Sequence, residues 1–421
     1  MTRIGGLLLI VRRGLTQHAL STIVTATSVA LGVGLVMAVF AVSAQSRLAF
    51  TSGAGNFDAV LGARGSALQL VLNAVFHLET SPGNIPWQLY EEVRADPRVA
   101  LAIPYAVGDN YRGYRIVGTT SELFSAVEFR PGRRYAFRGK GRAFDPERRE
   151  AVIGHMVAAR TDLKLGARFQ PYHGIAFNSE ARHAEEYVVV GVLEPTGTPA
   201  DRVVWIPIDG IFRMDGHVLR GTGAEFTADP AAEIPDEHKE VSAVLLDFRD
   251  AKVGFTLEQL INKQGKVATL AWPVQQIMAT LFEKLGWMNR VLELVAYLVV
   301  AVAAGSILAS LYNTMNERRR EFAILRALGA RPSTVLSVVV LEAVAIAGLG
   351  CVLGYGCYFA ILAVAAELVR SATGVVLELD ASHPALWWTP VCVLALGALA
   401  GLVPAARAYR TEVATYLAPT T

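Results

Sequence analysis

Cysteine is nearly missing from this chain and wholly missing from its polar half. The three present, Cys351, Cys357 and Cys392, lie in apolar runs near the C-terminus. No disulfide can therefore brace the long polar stretch over residues 47–286, which must hold itself together by packing. Catalytic motifs are lacking as well. There is no His-Glu-x-x-His and no Gly-x-Ser-x-Gly. The nearest approach to a phosphate loop, Gly132 to Gly141, carries Gly139-Lys140 without the spacing or the following Ser or Thr of a Walker motif. The chain is expected to be non-catalytic and to bind no cofactor, and any ATP chemistry tied to it must belong to another polypeptide.

Charge is scarce too. Charged residues make up 18% of the 421 against 53% hydrophobic, and the mean hydropathy is +0.38. That is too apolar for an ordinary soluble enzyme, so membrane spans are expected. A formal net charge of +2 gives no ground for a nucleic-acid partner.

Four apolar runs are long enough for the roughly 20 residues that cross a bilayer. They are read as spans over 21–46, 287–315, 333–366 and 385–406. Residues 1–20, with Arg3, Arg12 and Arg13 among Leu7, Leu8, Leu9 and Ile10, read as a basic amphipathic helix on the membrane face, or as plain span flank. Val42-Ser43-Ala44 mimics a signal-peptidase site, but the apolar run before it is too long for a signal peptide, which favours an uncleaved anchor. Arg12, Arg13, Arg318 to Arg320, Arg326, Arg331, Arg407 and Arg410 all fall on one side of a four-span arrangement. The positive-inside rule then puts both termini and the 407–421 tail in the cytoplasm of a bacterial inner membrane, with 47–286 and a short loop at 367–384 outside. The expected architecture is a membrane protein of four transmembrane α-helices with a large α+β extracytoplasmic domain between helices 1 and 2. In the third span Glu342 is costly unless it finds a partner or snorkels to the interface. Gly348, Gly350, Gly354 and Gly356 permit close helix approach there, with Gly350-x-x-x-Gly354 a small-residue packing pattern.

The polar stretch reads as mixed. Trp87 to Val93 predicts a helix entered at Pro86. Tyr111 to Gly118, Tyr187 to Leu193 and Val203 to Ile208 predict strands, the last suited by Pro207 to a sheet edge. Glu150 to Gly154, Met156 to Leu163 and Lys164 to Gly166 predict strand, helix and turn, and Leu68 to Leu78 a helix either in the core or near the membrane surface. Thr222 to Glu240 reads as an exposed connector. His173, His183, Glu185 and Glu186 share a polar loop, and His155, His217 and His238 lie elsewhere in the same stretch. A metal site needs imidazoles and carboxylates converging on one point, and His173, His183 and Glu185 are its candidates; solvated surface histidines are the other reading.

Between the second and third spans, Asn316 to Pro332 predicts a short charged helix at 316–332. Phe322, Leu325 and Leu328 fall at i, i+3 and i+6 along one stripe. Gly329 supplies a left-handed cap, and Pro332 stops the helix from running on. It reads as a helix docking into a groove on a soluble partner, or as a loop that only fixes orientation.

The run from Arg318 to Pro332, followed by Leu341-Glu342 and the glycines from Gly348 to Gly356, resembles the ABC-transporter permease family that includes FtsX, the lipoprotein-releasing permeases and the macrolide exporter. Ala151 to Gly154, Leu165-Gly166, Val189 to Val192 and Trp205 to Pro207 resemble the macrolide-exporter outer domain, which implies an inserted lobe at about 141–220. The resemblance implies a dimer, of identical or different chains, working on cytoplasmic ABC ATPase subunits that use ATP and magnesium. By the same resemblance Glu317, Arg320, Glu321, Phe322, Leu325, Arg326, Leu328 and Gly329 are the ATPase-coupling residues, and Glu342 matches an acidic position of the family. It implies export or release of an amphiphilic cargo such as a lipoprotein, peptide or drug-like molecule, with a periplasmic adaptor or lipoprotein as a further partner. Two alternatives stand beside transport: a signalling subunit that activates a periplasmic enzyme, and metal-linked transport through the histidine-bearing loop.

Overall fold

The computed structural model describes residues 3–52, 57–174, 177–214, 234–377 and 383–410. The chain divides into two compact units. One holds residues 1–46, 285–367 and 378–421, and the other holds 47–284 together with 368–377.

The first unit is helical. Helix α1 spans Arg3–Gln17 and α2 spans Ala19–Ser52. In the inserted domain, α3 is Ala67–Ala74, α4 is Trp87–Arg94 and α5 is His155–Arg160. The chain then continues as α6 (Gly286–Glu317), α7 (Arg319–Ala327), α8 (Pro332–Thr373) and α9 (Ala385–Arg410). Among the described residues, α2, α6, α8 and α9 are the helices long and apolar enough to cross a membrane. The turn after α7 explains why it is separate from α8. Gly329 adopts φ +97°, the Ala330 N–H donates to the Leu325 carbonyl and the Gly329 N–H to the Arg326 carbonyl, both at 3.0 Å. This is the Schellman pairing that satisfies the last carbonyls of a helix. Pro332 then opens α8 at a position where its missing N–H costs nothing.

The inserted domain is built on one mixed sheet. Its strands are β1 (Ala59–Ala63), β2 (Val99–Tyr111), β3 (Tyr114–Thr119), β4 (Glu150–Ile153), β5 (Arg168–Phe169), β6 (Tyr172–His173), β7 (Tyr187–Val192), β8 (Val204–Pro207), β9 (Ala243–Phe248) and β10 (Ala268–Ala271). The order is β10-β1-β9-β2-β3-β8-β4-β7-β5, with β6 pairing β2. Both faces are covered. Leu61, Val204, Ile206, Val244 and Leu246 point into one core; their neighbours Val60, Val203, Trp205, Ala243 and Leu245 point into another. A strand buried on both sides reads as a continuous apolar run without alternation.

Several expectations shift. Tyr111 to Gly118 is not one strand. Arg112 (φ +49°) and Gly113 (φ +85°) turn the chain in a two-residue hairpin between β2 and β3, and two consecutive left-handed residues are the turn that matches strand twist. β8 is internal, paired with β3 along its length but with β4 only at Val204 and Trp205, so Pro207 falls where one side of the strand has no partner strand. The described part of the 141–220 segment pairs with strands outside it: β8 joins it to β3, and β6 joins it to β2. Helix α3 is a core helix, burying Leu70, Val71 and Ala74, with the Ser66 hydroxyl accepting from the Gln69 N–H at its start. Most of the 222–240 connector, His217 and the acidic residues Glu378 and Asp380 lie outside the described residues. The 367–384 loop begins late, because α8 runs to Thr373 and the segment after it belongs to the inserted domain. There Val375 is buried in the core and the Val376 N–H donates to the Gly197 carbonyl at 3.3 Å.

Candidate coupling site

Arg318 sits at the bend where α6 ends and α7 begins, with φ −95° and ψ 10°. Its guanidinium is buried. Nη1 donates to Glu342 Oε1 of α8 at 2.7 Å, and Nε donates to Glu321 Oε2 at 3.1 Å. The same group lies 5.0 Å over the Phe322 ring, which adds a cation–π contact. Glu342 is thus neither snorkelling nor alone; it is buried and paired with the residue that joins two helices. α1 closes over the pair. A side chain at Gly14 would collide with Glu342 Oε1 and come within 2.8 Å of Arg318 Nη1, so any larger residue there must displace the pair. His18 Nδ1 lies 3.2 Å from Glu317 Oε2. Around these polar contacts Val11, Phe322, Val335, Val338, Val339 and Ala405 form an apolar cluster, with Leu325 packed on it.

The stripe expected on α7 is divided by this packing. Phe322 is buried and Leu325 half-buried against α1 and α8, whereas Leu328 is 80% exposed. The reason is helical geometry, since two steps of three residues rotate a side chain by about 120° away from the first. The helix is shorter than expected over 316–332, since Glu317 ends α6. The face of α7 left to solvent carries Arg320, Glu321 and Ile324, with Leu328 exposed at its C-cap, Arg326 half-buried and Gly329 exposed just beyond, and Glu317 is exposed at the end of α6. Ile324, 44% exposed, was not singled out by sequence; its i, i+4 spacing to Leu328 and to Arg320 was the available signal. Arg318, Gly14 and His18 were also missed, because nothing local marks them as meeting Glu342 and Glu317.

The glycines of α8 separate into two kinds. A side chain at Gly350 would collide with Val29 of α2, and one at Gly354 would come within 2.7 Å of Val33 Cγ1. Gly348 has only Leu394 at 3.9 Å and Gly356 has nothing within 4 Å. Gly397 and Gly401 on α9 add a second close approach, to Ala347 and Ala343 of α8, each with a neighbouring methyl 2.8 Å from where a Cβ would stand.

Of the metal candidates, His173 and His183 come together, but around Asp109 of β2; Glu185 is not in that group. Its Oε2 is enclosed with no hydrogen-bond partner. A cavity of about 80 Å³ that shares Asp109 with this group is lined by Phe76, His77, Leu78, Asp109, Gly113, Arg115 and Arg202. His77 holds φ +55°, packs 5.8 Å from the Trp205 ring, and its Nδ1 is enclosed without a hydrogen-bond partner. Burial, then the charges of Arg115 and Arg202, lower its pKa to about 3. Its folded value lies below the unfolded 6.5, so acid protonates the unfolded chain and not the folded one. Stability is full above pH 6.5 and falls as pH drops toward 3, by up to about 1.4 kcal/mol per pH unit. His77→Asn, which tolerates positive φ, should therefore show a smaller loss of unfolding temperature between pH 7.5 and pH 5 than the parent; an equal loss would refute this assignment.

Residues 22–243 match the MacB-like periplasmic core domain, and residues 293–413 match the FtsX-like permease C-terminal model. The macrolide export ATP-binding/permease protein MacB of Rhodospirillum rubrum is 26% identical over 231 residues, covering 54% of this chain and 32% of that protein. The chain thus spans about a third of the length of this curated relative. Among solved structures, the periplasmic region of MacB from Actinobacillus actinomycetemcomitans aligns with 54% of this chain and 93% of its own, at 10% identity and a TM-score of 0.32. The extracellular domain of the noncanonic ABC-type transporter YknZ from Gram-positive bacteria aligns with 51% and 99%, at 13% identity and a TM-score of 0.29.

Proposed function

We propose a function for this chain from the premise that it belongs to the MacB/FtsX-like family of ABC transporter permeases. It is a multi-pass membrane permease subunit. In our reading, a separate cytoplasmic ATPase subunit binds the exposed face of α7, and ATP-driven closure of that ATPase moves α7 against the membrane helices. The inserted domain, on the far side of a bacterial inner membrane, then moves to export or release an amphiphilic cargo. Two permease chains would act together.

One observation carries this reading: α7 is two-sided. Its inner face is tied to α8 through Arg318 and Glu342 and to α1 through Phe322, while its outer face presents Arg320, Glu321, Ile324 and Leu328 to solvent. A helix that only fixed orientation would need the charges but not the buried link. A small amphipathic face with two apolar anchors and a charged rim suits a groove on a soluble protein.

The test is Leu328→Asp, alone and with Ile324→Asp. Both side chains face solvent, so the permease should fold normally, as judged by its size-exclusion profile in detergent. Placing carboxylates in the contact should lower copurification of the co-expressed ATPase at least about tenfold, since a buried unpaired charge costs several kcal/mol. Undiminished copurification by a folded double variant would sink the docking role of α7.

A further inference from the structure

We propose that Asp109, His173 and His183 form a binding site for a divalent transition-metal ion of the zinc class on the inserted domain. The backbone brings these residues together. Asp109 lies near the end of β2, and β6 pairs antiparallel with it so that Asp109 faces His173 directly across the ladder. Directly opposed residues carry their Cβ atoms about 5 Å apart. His183 arrives from the next pass of the chain. Arg182 bridges Tyr172, the His173 N–H donates to the Ala181 carbonyl at 2.6 Å, and the His183 N–H donates to the Pro171 carbonyl at 2.9 Å. Three neighbouring backbone segments thus fix all three side chains.

Two of the three donor pairs already stand at coordination spacing, and the third lies within reach of it. Asp109 Oδ1 is 3.2 Å from His183 Nε2 and 3.5 Å from His173 Nδ1, and one ligand atom from each residue lies within 4.8 Å of the other two. Bonds of about 2.0–2.2 Å in a tetrahedral site put ligand atoms about 3.3–3.6 Å apart. The two imidazole rings meet edge to face with centroids 5.4 Å apart, so their nitrogens can converge without the rings stacking.

The chemistry of the set selects the ion. Two imidazole nitrogens and one carboxylate oxygen suit zinc and its neighbours, whereas calcium and magnesium want six or more oxygens. Asp109 and His183 are buried, and the His173 side chain is 53% exposed. That half-open edge gives the ion a way in and leaves a fourth position for water. Bound metal would cross-link the 172–183 segment to β2 within the inserted domain. This site is independent of the ATPase-docking face and its test does not depend on transport.

The full chain would be purified in detergent on a tag free of histidine and cysteine, stripped with a chelator, and titrated with zinc chloride against a chromophoric zinc chelator. We expect one zinc per chain, unaffected by millimolar magnesium or calcium. His173→Ala should lower the affinity by at least about 100-fold, because loss of even an outer-shell partner costs 10–100-fold. Its side chain is half-exposed, so the fold should survive. Asp109→Asn keeps the shape and should lower affinity likewise. Zinc affinity unchanged in His173→Ala, or no stoichiometric zinc in the parent chain, would overturn the proposal and leave Asp109 and His183 as a structural hydrogen-bonded pair.

Discussion

Arg318→Leu should lower the stability of the detergent-solubilised chain by about 3–5 kcal/mol, the usual cost of removing one partner from a buried ion pair. The size follows from where the charges lie. Arg318 and Glu342 are respectively 5% and 3% exposed, and their Nη1–Oε1 distance is 2.7 Å. Without the guanidinium, Glu342 keeps no ion-pair partner among the described residues, beside an apolar cluster that includes Val11, Phe322 and Val339. Glu342→Leu should cost less, because Arg318 retains Glu321 at 3.1 Å. The informative variant is the pair together. Arg318→Leu with Glu342→Leu leaves no buried charge, and apolar replacement of both partners is often neutral. It should regain most of the loss while severing the polar tie between α7 and α8. Stability measured by thermal retention on size exclusion decides the first point. Singles that unfold at the parent's temperature would show that the pair contributes nothing. If the double variant is stable but its ATPase partner no longer responds, the tie transmits motion; full ATP-coupled activity in that variant would remove Arg318 from the coupling path.

Gly350→Val should be the most damaging substitution among the α8 glycines. Its Cβ would collide with the Val29 side chain and would stand 3.1 Å from the Ala26 carbonyl of α2. Backbone cannot rotate aside as a side chain can, so the helices must separate, and overpacking of this kind costs about 1–3 kcal/mol or more. Separation also breaks neighbouring contacts on the same seam, where Val33 meets Gly354 and Gly34 meets Cys357. Gly356→Val is the matched control. It adds the same side chain six residues along the same helix, with nothing within 4 Å, and should leave folded yield and unfolding temperature close to the parent's. Val29→Ala should partly rescue Gly350→Val by opening the contact. Equal yields from the Gly350 and Gly356 variants would mean that α2 and α8 do not depend on this approach.

Some of this molecule is legible in the chain because it depends on neighbours in sequence. The four spans follow from the length of apolar runs, which is a property of composition. The end of α7 follows from Gly329 and Pro332, whose backbone preferences act within a few residues. The family resemblance rested on the same local words, from Arg318 to Pro332 and from Ala151 to Gly154. Other features were hidden for identifiable reasons. β1 and β9 escaped notice because Ala59–Ala63 and Ala243–Phe248 are buried on both faces and so show no alternation. The β2–β3 turn escaped because Arg112 is an unusual residue for a left-handed position, held there by strand pairing on both sides.

What only the tertiary structure decided is convergence. Glu342 of α8 pairs with Arg318 of the α6–α7 bend under Gly14 of α1; Asp109 joins His173 and His183 where the sequence offered Glu185; and Gly350 and Gly354 meet α2 while Gly348 and Gly356 do not. Each outcome depends on which face of an element turns toward which neighbour. Sequence periodicity defines faces within an element, but packing of distant segments chooses their partners, and that choice minimises buried charge and void over the whole unit.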